Sequence, residues 1–67
     1  MAKAYKKIEI VGVSSKSMSE AIDHAVEKAA GTVRNLSWFE VAEMRGSIED
    51  GKVSEYQVTV NIGFRLD

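Results

Sequence analysis

The sequence predicts an α+β fold, a single domain over residues 1–67 in which one amphipathic helix packs on a three-stranded antiparallel sheet. Three observations predict it: a capping sequence ahead of a helical apolar stripe, strict alternation in the last segment, and an Asp-Gly pair between two β segments. The element order is therefore β-α-β-β. A helical crossover makes the first two strands run in the same direction, so the third strand fits between them, in the sheet order 1-3-2.

The first strand is predicted from Tyr5 to Val13, where Ile and Val alternate with polar residues. The helix is predicted to begin at Ser17, because Ser17 and Glu20 form a capping box, and to end at Gly31. Its apolar stripe has spacings of three and four residues and consists of Met18, Ala21, Ile22, Ala25, Val26 and Ala29. Three alanines on this stripe favour close packing on a sheet over insertion into lipid.

Two further strands are predicted from Val33 to Arg45 and from Lys52 to Arg65, joined by a turn over residues 48–51 that contains the Asp-Gly hairpin pair. Apolar residues of the last segment occupy every second position, namely Tyr56, Val58, Val60, Ile62, Phe64 and Leu66. This alternation supports a central place in the sheet. The second strand is then an edge strand, and a long, partly apolar edge favours pairing with another copy.

Size and charge restrict the classes of function. A chain of 67 residues buries only about 60% of its unfolded surface, and without cysteine the remaining source of stability is oligomerisation. The formal net charge of -1 disfavours nucleic-acid binding. Its apolar runs are too short for a signal segment or a membrane span. We expect a soluble, cytoplasmic protein with neither a membrane nor a nucleic acid as partner.

Trp38, the only tryptophan of the chain, is the residue to which we assign the function. Because successive side chains of a strand point to opposite faces, Phe39 and Val41 are predicted to face the helix and Trp38 to face away from it. Trp38 is predicted to share its face with Glu40, Ala42 and Met44 of its own strand and with Gln57, Thr59 and Asn61 of the last strand.

The position of the turn predicts which residues lie next to Trp38. A turn centred near Asp50 pairs even-numbered with odd-numbered residues, which places Trp38 beside residues such as Asn61. Gln57 and Arg45 then lie further along the same ribbon, towards the turn. Bulges would shift this register.

Two interpretations of Trp38 are open on the pattern alone. Its indole can stack on a flat ring ligand whose hydrogen-bonding edge the Gln57 amide contacts with its donor and its acceptor. Alternatively, Trp38 anchors a subunit interface and binds nothing small, since aromatic residues are enriched at interfaces. The pattern favours the interface.

Catalysis is not predicted. His24 lies on the charged face of the helix and is expected to be solvated, and Glu40 and Glu43 are expected on opposite faces of their strand. Neither a nucleophile beside a base nor a pair of carboxylates is evident. No Gly-x-Gly-x-x-Gly motif and no metal site are predicted.

Several short motifs, weak singly and specific together, carry a family resemblance. They are Tyr5-Lys6-Lys7, Val11-Gly12, Trp38-Phe39-Glu40-Val41 with Arg45-Gly46, Glu55-Tyr56-Gln57-Val58 continuing to Val60, and Gly63-Phe64-Arg65-Leu66. At this spacing the whole chain resembles the bacterial dodecins, a family of small flavin-binding proteins. The resemblance implies that β-α-β-β subunits assemble into a hollow homododecamer.

The resemblance also implies a flavin site at a twofold contact between subunits. Two stacked flavins would lie between symmetry-related Trp38 residues, with Gln57 hydrogen-bonded to the isoalloxazine. Arg45 and Arg65 would contact the flavin or its phosphate, which favours FMN, with riboflavin and FAD as alternatives. Coenzyme A binding is a further implication, and the matching positions are Lys6, Lys28, Thr32, Val33 and Arg34.

The function that this resemblance implies is non-enzymatic. The protein would store or sequester flavin, and Trp38 would quench photoexcited flavin. The alternative is a structural or protein-interaction homo-oligomer with no small-molecule ligand.

Overall fold

The computed structural model describes residues 3–67 and has the predicted element order. The elements are β1 (Tyr5–Ser14), α1 (Met18–Ala30), β2 (Leu36–Glu49) and β3 (Lys52–Arg65). Strand β3 lies in the middle and runs antiparallel to both neighbours, which confirms the order β1-β3-β2. The overall dimensions are 55 × 20 × 13 Å. Within residues 3–67, no helix has the length and apolar character needed to cross a membrane.

Helix α1 begins where its capping residue predicts. The backbone of Ser17 is extended, and its Oγ accepts a hydrogen bond from the backbone N–H of Glu20 at 3.0 Å. The Glu20 carboxylate lies 3.4 Å from Nε2 of His24, one turn along the helix, rather than returning to the cap. Gly31 follows the last turn as predicted, and its φ of −72° is accessible to any residue.

The core lies between one face of α1 and the central strand. Its fully buried members are Ala21, Ala25, Ala29, Val58, Val60 and Ile62. The small alanines let the helix lie close to the sheet, and the closest approach is at Gly12 of β1. A Cβ at Gly12 would overlap the carbonyl oxygen of Ala21 and the Cβ of Ala25. Glycine is therefore needed there for space.

Two hydrogen bonds hold the end of β1, one from the connection that follows it and one from the middle of α1. Ser14 is buried, and its Oγ accepts a hydrogen bond from the backbone N–H of Lys16 at 2.9 Å. Nδ1 of His24 donates to the carbonyl oxygen of Val13 at 2.7 Å, because a carbonyl can only accept. The prediction that His24 is merely solvated is therefore wrong.

The connection after α1 makes β2 begin three residues later than predicted. The backbone N–H groups of Thr32 and Val33 both donate to the carbonyl of Ala29, at 3.1 and 2.8 Å, so these residues still belong to the helix terminus. Asn35 then adopts a left-handed conformation with φ of 63°, which asparagine tolerates better than most residues. Strand β2 starts immediately after it.

The hairpin turn is shorter than predicted, so β2 also ends later. Asp50 and Gly51 have φ of 52° and 75°, as the two central residues of a type I′ turn require. The flanking pair Glu49 and Lys52 is already part of the ladder. The bounds of β3 match the prediction.

A bulge in β2 changes which side chains share a face. The register with β3 shifts by one between Val41 and Glu43, so Ala42 is an extra residue. As a result Glu40 and Glu43 both pair with odd-numbered residues of β3, which point away from α1, and the prediction of opposite faces is wrong. Met44 pairs with a buried valine of β3 and lies on the helix side, which corrects its predicted placement beside Trp38.

The helix side of β2 is largely uncovered, because α1 packs on β1 and β3. Phe39, Val41 and Met44 on this side are 49%, 41% and 54% exposed. A gap of about 180 Å³ lies between α1 and β2, with Val26 and Leu36 among its lining residues. The expected packing of Phe39 and Val41 on the helix is therefore only partial.

We expect Gly12→Ala to lower the free energy of unfolding by about 1–3 kcal/mol, because the added methyl group must displace the backbone of α1. Urea unfolding at a fixed protein concentration, followed by far-UV circular dichroism, measures this loss. Gly31→Ala is the matched control, since a Cβ there meets its nearest atom at 3.4 Å. Equal midpoints for the wild type and both variants would contradict the close approach.

Candidate ligand-binding face

The side of the sheet that points away from α1, here called the open face, carries the residues predicted to bind a ligand. It is formed by the odd-numbered residues of β1 and β3 and by their partners on β2. Functional side chains gather at its two ends. The aromatic end consists of Tyr5, Lys7, Trp38, Glu40, Gly63 and Arg65. The amide end, closer to the hairpin turn, consists of Arg45, Glu55 and Gln57.

Trp38 lies on the open face, as predicted, but its partner is Gly63 rather than Asn61. The predicted pairing of even with odd residues holds at this position, and the register differs from the prediction by two residues. Two register shifts between the turn and Trp38, one between Ser47 and Ile48 and one between Val41 and Glu43, offset each other. A Cβ at Gly63 would overlap three atoms of the six-membered ring of Trp38. The indole therefore lies over the glycine backbone, and with 39% of Trp38 exposed it is accessible to a partner.

Tyr5 is a second aromatic residue at this end, and the sequence interpretation did not include it in the site. Its ring meets the ring of Trp38 edge to face, with the centroids 5.3 Å apart and the planes at 63°. Such pairs contribute about 0.5–1.5 kcal/mol beyond area burial. The predicted sheet order 1-3-2 could have indicated that Tyr5 lies near Trp38, because it places the start of β1 beside the end of β3.

An ion pair crosses the central strand beside Trp38. Nζ of Lys7 on β1 lies 2.9 Å from Oε1 of Glu40 on β2. This hydrogen bond and the charge of Lys7 lower the pKa of the Glu40 carboxyl, and Trp38 contributes a smaller effect in the same direction. The pair is half exposed, so its main effect is to fix the charge pattern around the indole.

A chain of hydrogen bonds organises the amide end. Nε of Arg45 donates to Oε1 of Gln57 at 2.7 Å, and Nε2 of Gln57 donates to Oε1 of Glu55 at 2.8 Å. The predicted neighbourhood of Arg45 and Gln57 is confirmed, since they are also direct partners across the strands. Glu55 was not predicted as a site residue, although Glu55 and Gln57 are two positions apart on β3 and therefore lie on the same face.

The structure does not bring Trp38 and Gln57 together within one chain. Gly63, the partner of Trp38, lies six residues from Gln57 along β3, which corresponds to about 20 Å. This is farther than one flat ring system extends. We therefore expect a flat ring that contacts both residue types to lie between two copies.

Arg65 lies at the aromatic end, opposite Tyr5. The nearby Arg34 forms a 2.6 Å ion pair with Asp67, and the Nδ2 of Asn35 donates to the same carboxylate at 2.9 Å. The hydrogen bond and charge of Arg34 lower the pKa of Asp67, and the charge of Arg65 adds a smaller effect. Among residues 3–67, the Arg65 guanidinium takes part in no hydrogen bond or ion pair.

The residues implied for coenzyme A fall in separate places. Thr32, Val33 and Arg34 line an open cavity of about 340 Å³ near the end of the chain. Lys28 lines a different groove of about 560 Å³ between α1 and β1, and Lys6 lies on β1 opposite a phenylalanine of β3. A single chain therefore forms no common site from these residues, and coenzyme A stays a prediction of the resemblance.

The chemistry of the open face is that of binding. An exposed indole can stack on a flat ring, an amide offers a donor and an acceptor, and a guanidinium can bind a phosphate. Across the described part of the chain, no three His, Asp or Glu side chains are grouped to hold a metal ion.

Known proteins have a similar sequence and the same fold over nearly the whole chain. A family model described as Dodecin matches residues 4–67. A curated dodecin of Thermus thermophilus is 49% identical over 67 residues, which cover 100% of this chain and 97% of the relative. A crystal structure of a Thermus thermophilus protein has a TM-score of 0.95 at 48% identity and covers 98% of this chain and 97% of its own. Dodecin from Streptomyces coelicolor has a TM-score of 0.94 at 45% identity, and the match covers 97% of this chain and 93% of that dodecin.

Structures of the Thermus dodecin have also been solved for the variants R45A, R65A and W38F, each with a TM-score of 0.95 to this chain. These residue types and numbers coincide with those of Arg45, Arg65 and Trp38 here. In that relative, all three substitutions are compatible with the fold.

We expect Gly63→Ala to displace the indole of Trp38, because the new methyl group would occupy the space of the ring. The emission maximum and near-ultraviolet circular dichroism of this single tryptophan should both change, while far-ultraviolet circular dichroism stays that of the wild type. Gly31→Ala serves again as the control. An unchanged tryptophan spectrum in Gly63→Ala would show that the ring does not lie over the glycine.

We expect Lys7→Gln to raise the pKa of Glu40, since the substitution removes the partner that lowers it. Because the folded-state pKa lies below the unfolded one, the stabilisation from this pair is complete above about pH 4.3 and is lost as the pH falls through the folded pKa. Carboxyl-carbon NMR titration of the wild type and of Lys7→Gln measures the difference. Asp67, whose pKa is lowered by Arg34 and not by Lys7, is the internal control, and identical Glu40 curves would refute the pairing.

Proposed function

Because this chain belongs to the dodecin family, we propose that it binds FMN as stacked pairs between the Trp38 residues of symmetry-related copies, and that it stores or sequesters the flavin. Membership of the family supports a small flavin-binding protein in general terms. The choice of FMN, the stacking and the storage role are our proposal. The observation that carries it is the exposed indole held over Gly63 on the open face.

The position of Trp38 suits stacking on a planar ligand. Gly63 supports the ring from below and Tyr5 contacts it from the side, so the indole is held in place before a ligand arrives. A preorganised side chain loses less conformational entropy on binding. An isoalloxazine that covers the exposed part of the ring gains area burial together with the stacking contribution.

The separation of the two ends supports a site built from two copies. In an assembly of several copies, we propose that the amide end of one copy lies beside the aromatic end of another. Each flavin then stacks on Trp38 of one copy while Gln57 of the other meets its hydrogen-bonding edge. The uncovered side of β2 and the small core also favour self-association, and we propose a hollow homododecamer as the assembly.

The two arginines receive different roles in this proposal. Arg65 lies beside the aromatic end and has its guanidinium available, which suits the phosphate of FMN. Arg45 already donates through Nε to Gln57, so it acts at the ring edge. Riboflavin and FAD remain alternative ligands, and of the two only riboflavin lacks a phosphate.

A stacked indole also suits a photoprotective role. Contact between Trp38 and the isoalloxazine would allow an electron to pass from the indole to the photoexcited flavin and then to return to the indole, which would leave both rings in their ground states. The protein would act in this way in the cytoplasm, and it would not transform its ligand.

A second candidate function is a homo-oligomer without a small-molecule ligand, and the exposed apolar residues of β2 favour it. The two proposals differ in one measurement. The flavin binder quenches FMN fluorescence stoichiometrically on titration, whereas a purely structural oligomer leaves the fluorescence unchanged.

We expect Trp38→Ala to weaken FMN binding by about tenfold or more, because stacking and area burial are both lost. Trp38→Phe should have an intermediate affinity, since a smaller aromatic ring remains. Fluorescence titration of FMN measures the affinities, and native mass spectrometry should find the same number of subunits in all three proteins. Wild-type quenching by Trp38→Ala would disprove the stacking role.

We expect Arg65→Ala to weaken the binding of FMN by about tenfold, because a charge-assisted contact is lost. The binding of riboflavin should weaken by less than about twofold, because riboflavin lacks the phosphate. Parallel titrations with the two flavins measure the ratio. Arg34→Ala is the matched control: it removes a nearby positive charge that is already paired with Asp67. Equal losses for both flavins in Arg65→Ala would contradict a phosphate contact.

A further inference from the structure

The side-chain amide of Gln57 is held on both sides by charged neighbours. Arg45, its partner across the strands, donates from Nε to Oε1 at 2.7 Å. Glu55, two residues before it on β3, accepts from Nε2 at 2.8 Å. All three side chains lie on the open face, and Gln57 and Glu55 are partly buried.

These two neighbours permit only one orientation of the amide. A guanidinium donates hydrogen bonds and accepts none, and an ionised carboxylate accepts and donates none. With Oε1 towards Arg45 and Nε2 towards Glu55, both hydrogen bonds form. Rotating the amide by half a turn would oppose donor to donor and acceptor to acceptor, so both bonds would be lost.

The fixed amide presents a defined pattern to a ligand. One hydrogen of Nε2 and one lone pair of Oε1 remain, side by side and in a fixed order. This pattern complements an N–H beside a C=O, the imide edge of a planar ring. The isoalloxazine of a flavin carries such an edge, at N3–H and its adjacent carbonyls.

We infer that Glu55 is a positioning residue that sets the orientation of the Gln57 amide and thereby selects ligands with an imide edge. Its own carboxylate need not touch the ligand. The choice of a flavin as the ligand rests on the proposed function above, whereas the orientation of the amide does not.

The orientation can be tested without any ligand. In the assembled, ¹⁵N-labelled full-length protein, the side-chain amide hydrogens of Gln57 are assigned by their disappearance in Gln57→Met. We expect Glu55→Ala to accelerate their exchange with solvent by at least about threefold, because one hydrogen loses its acceptor. Glu55→Gln retains an acceptor oxygen and should keep the slow exchange. Equal exchange in the wild type and Glu55→Ala would overturn the inference.

The selectivity is tested with riboflavin and its N3-methyl derivative, which lacks the imide hydrogen. We expect the wild type to prefer riboflavin by about tenfold, Glu55→Gln to keep most of this preference, and Glu55→Ala to lose most of it. An unchanged preference in Glu55→Ala would mean that the methyl group is rejected for its size, and the inference would fail. If the wild type binds neither flavin, the proposed function fails. The exchange rates of the Gln57 amide hydrogens then test by themselves whether Glu55 orients that amide.

Discussion

The close approach of α1 to β1 and β3 is the constraint on which the rest of the structure depends. It requires alanine at three successive turns of the helix and a glycine at residue 12. Because the helix lies there, it cannot also cover β2, and the apolar side of that strand stays exposed. A compact core in a chain of 67 residues is thus obtained by leaving the apolar side of one strand uncovered within the chain.

The central strand connects this core to the proposed site. The even-numbered residues of β3 make the core with α1, and its odd-numbered residues form the middle of the open face. Gly63 has a special place among them, since its missing side chain provides the space for Trp38. Packing on one side of β3 therefore fixes the position of the proposed site on the other side.

Local chemistry in the sequence was enough to predict much of the fold. Ser17 acts as the helix cap through its own hydroxyl, and Asp50-Gly51 forms the type I′ turn that its residue types favour. The strict alternation of β3 follows from burial of one face. Each of these features depends on residues close together in the chain, and the element order and the sheet order followed from them.

Features that depend on long-range packing could not be predicted in the same way. A bulge at Ala42 has no characteristic residue, because alanine fits a regular strand equally well. The contact of Tyr5 with Trp38 joins residues far apart in the sequence, and the hydrogen bond of His24 to Val13 depends on how the helix lies on the sheet. The distance between Trp38 and Gln57 could be predicted only from the true register of the hairpin.

The bulge at Ala42 finally explains how Trp38 and Arg45 come to lie on the same side of one strand. An odd number of positions separates them, so a perfectly regular strand would turn them in opposite directions. The single extra residue between them reverses the alternation and brings Arg45 back to the side of Trp38. The extra residue Ala42 thus determines that Trp38 and Arg45 face the same side of the sheet.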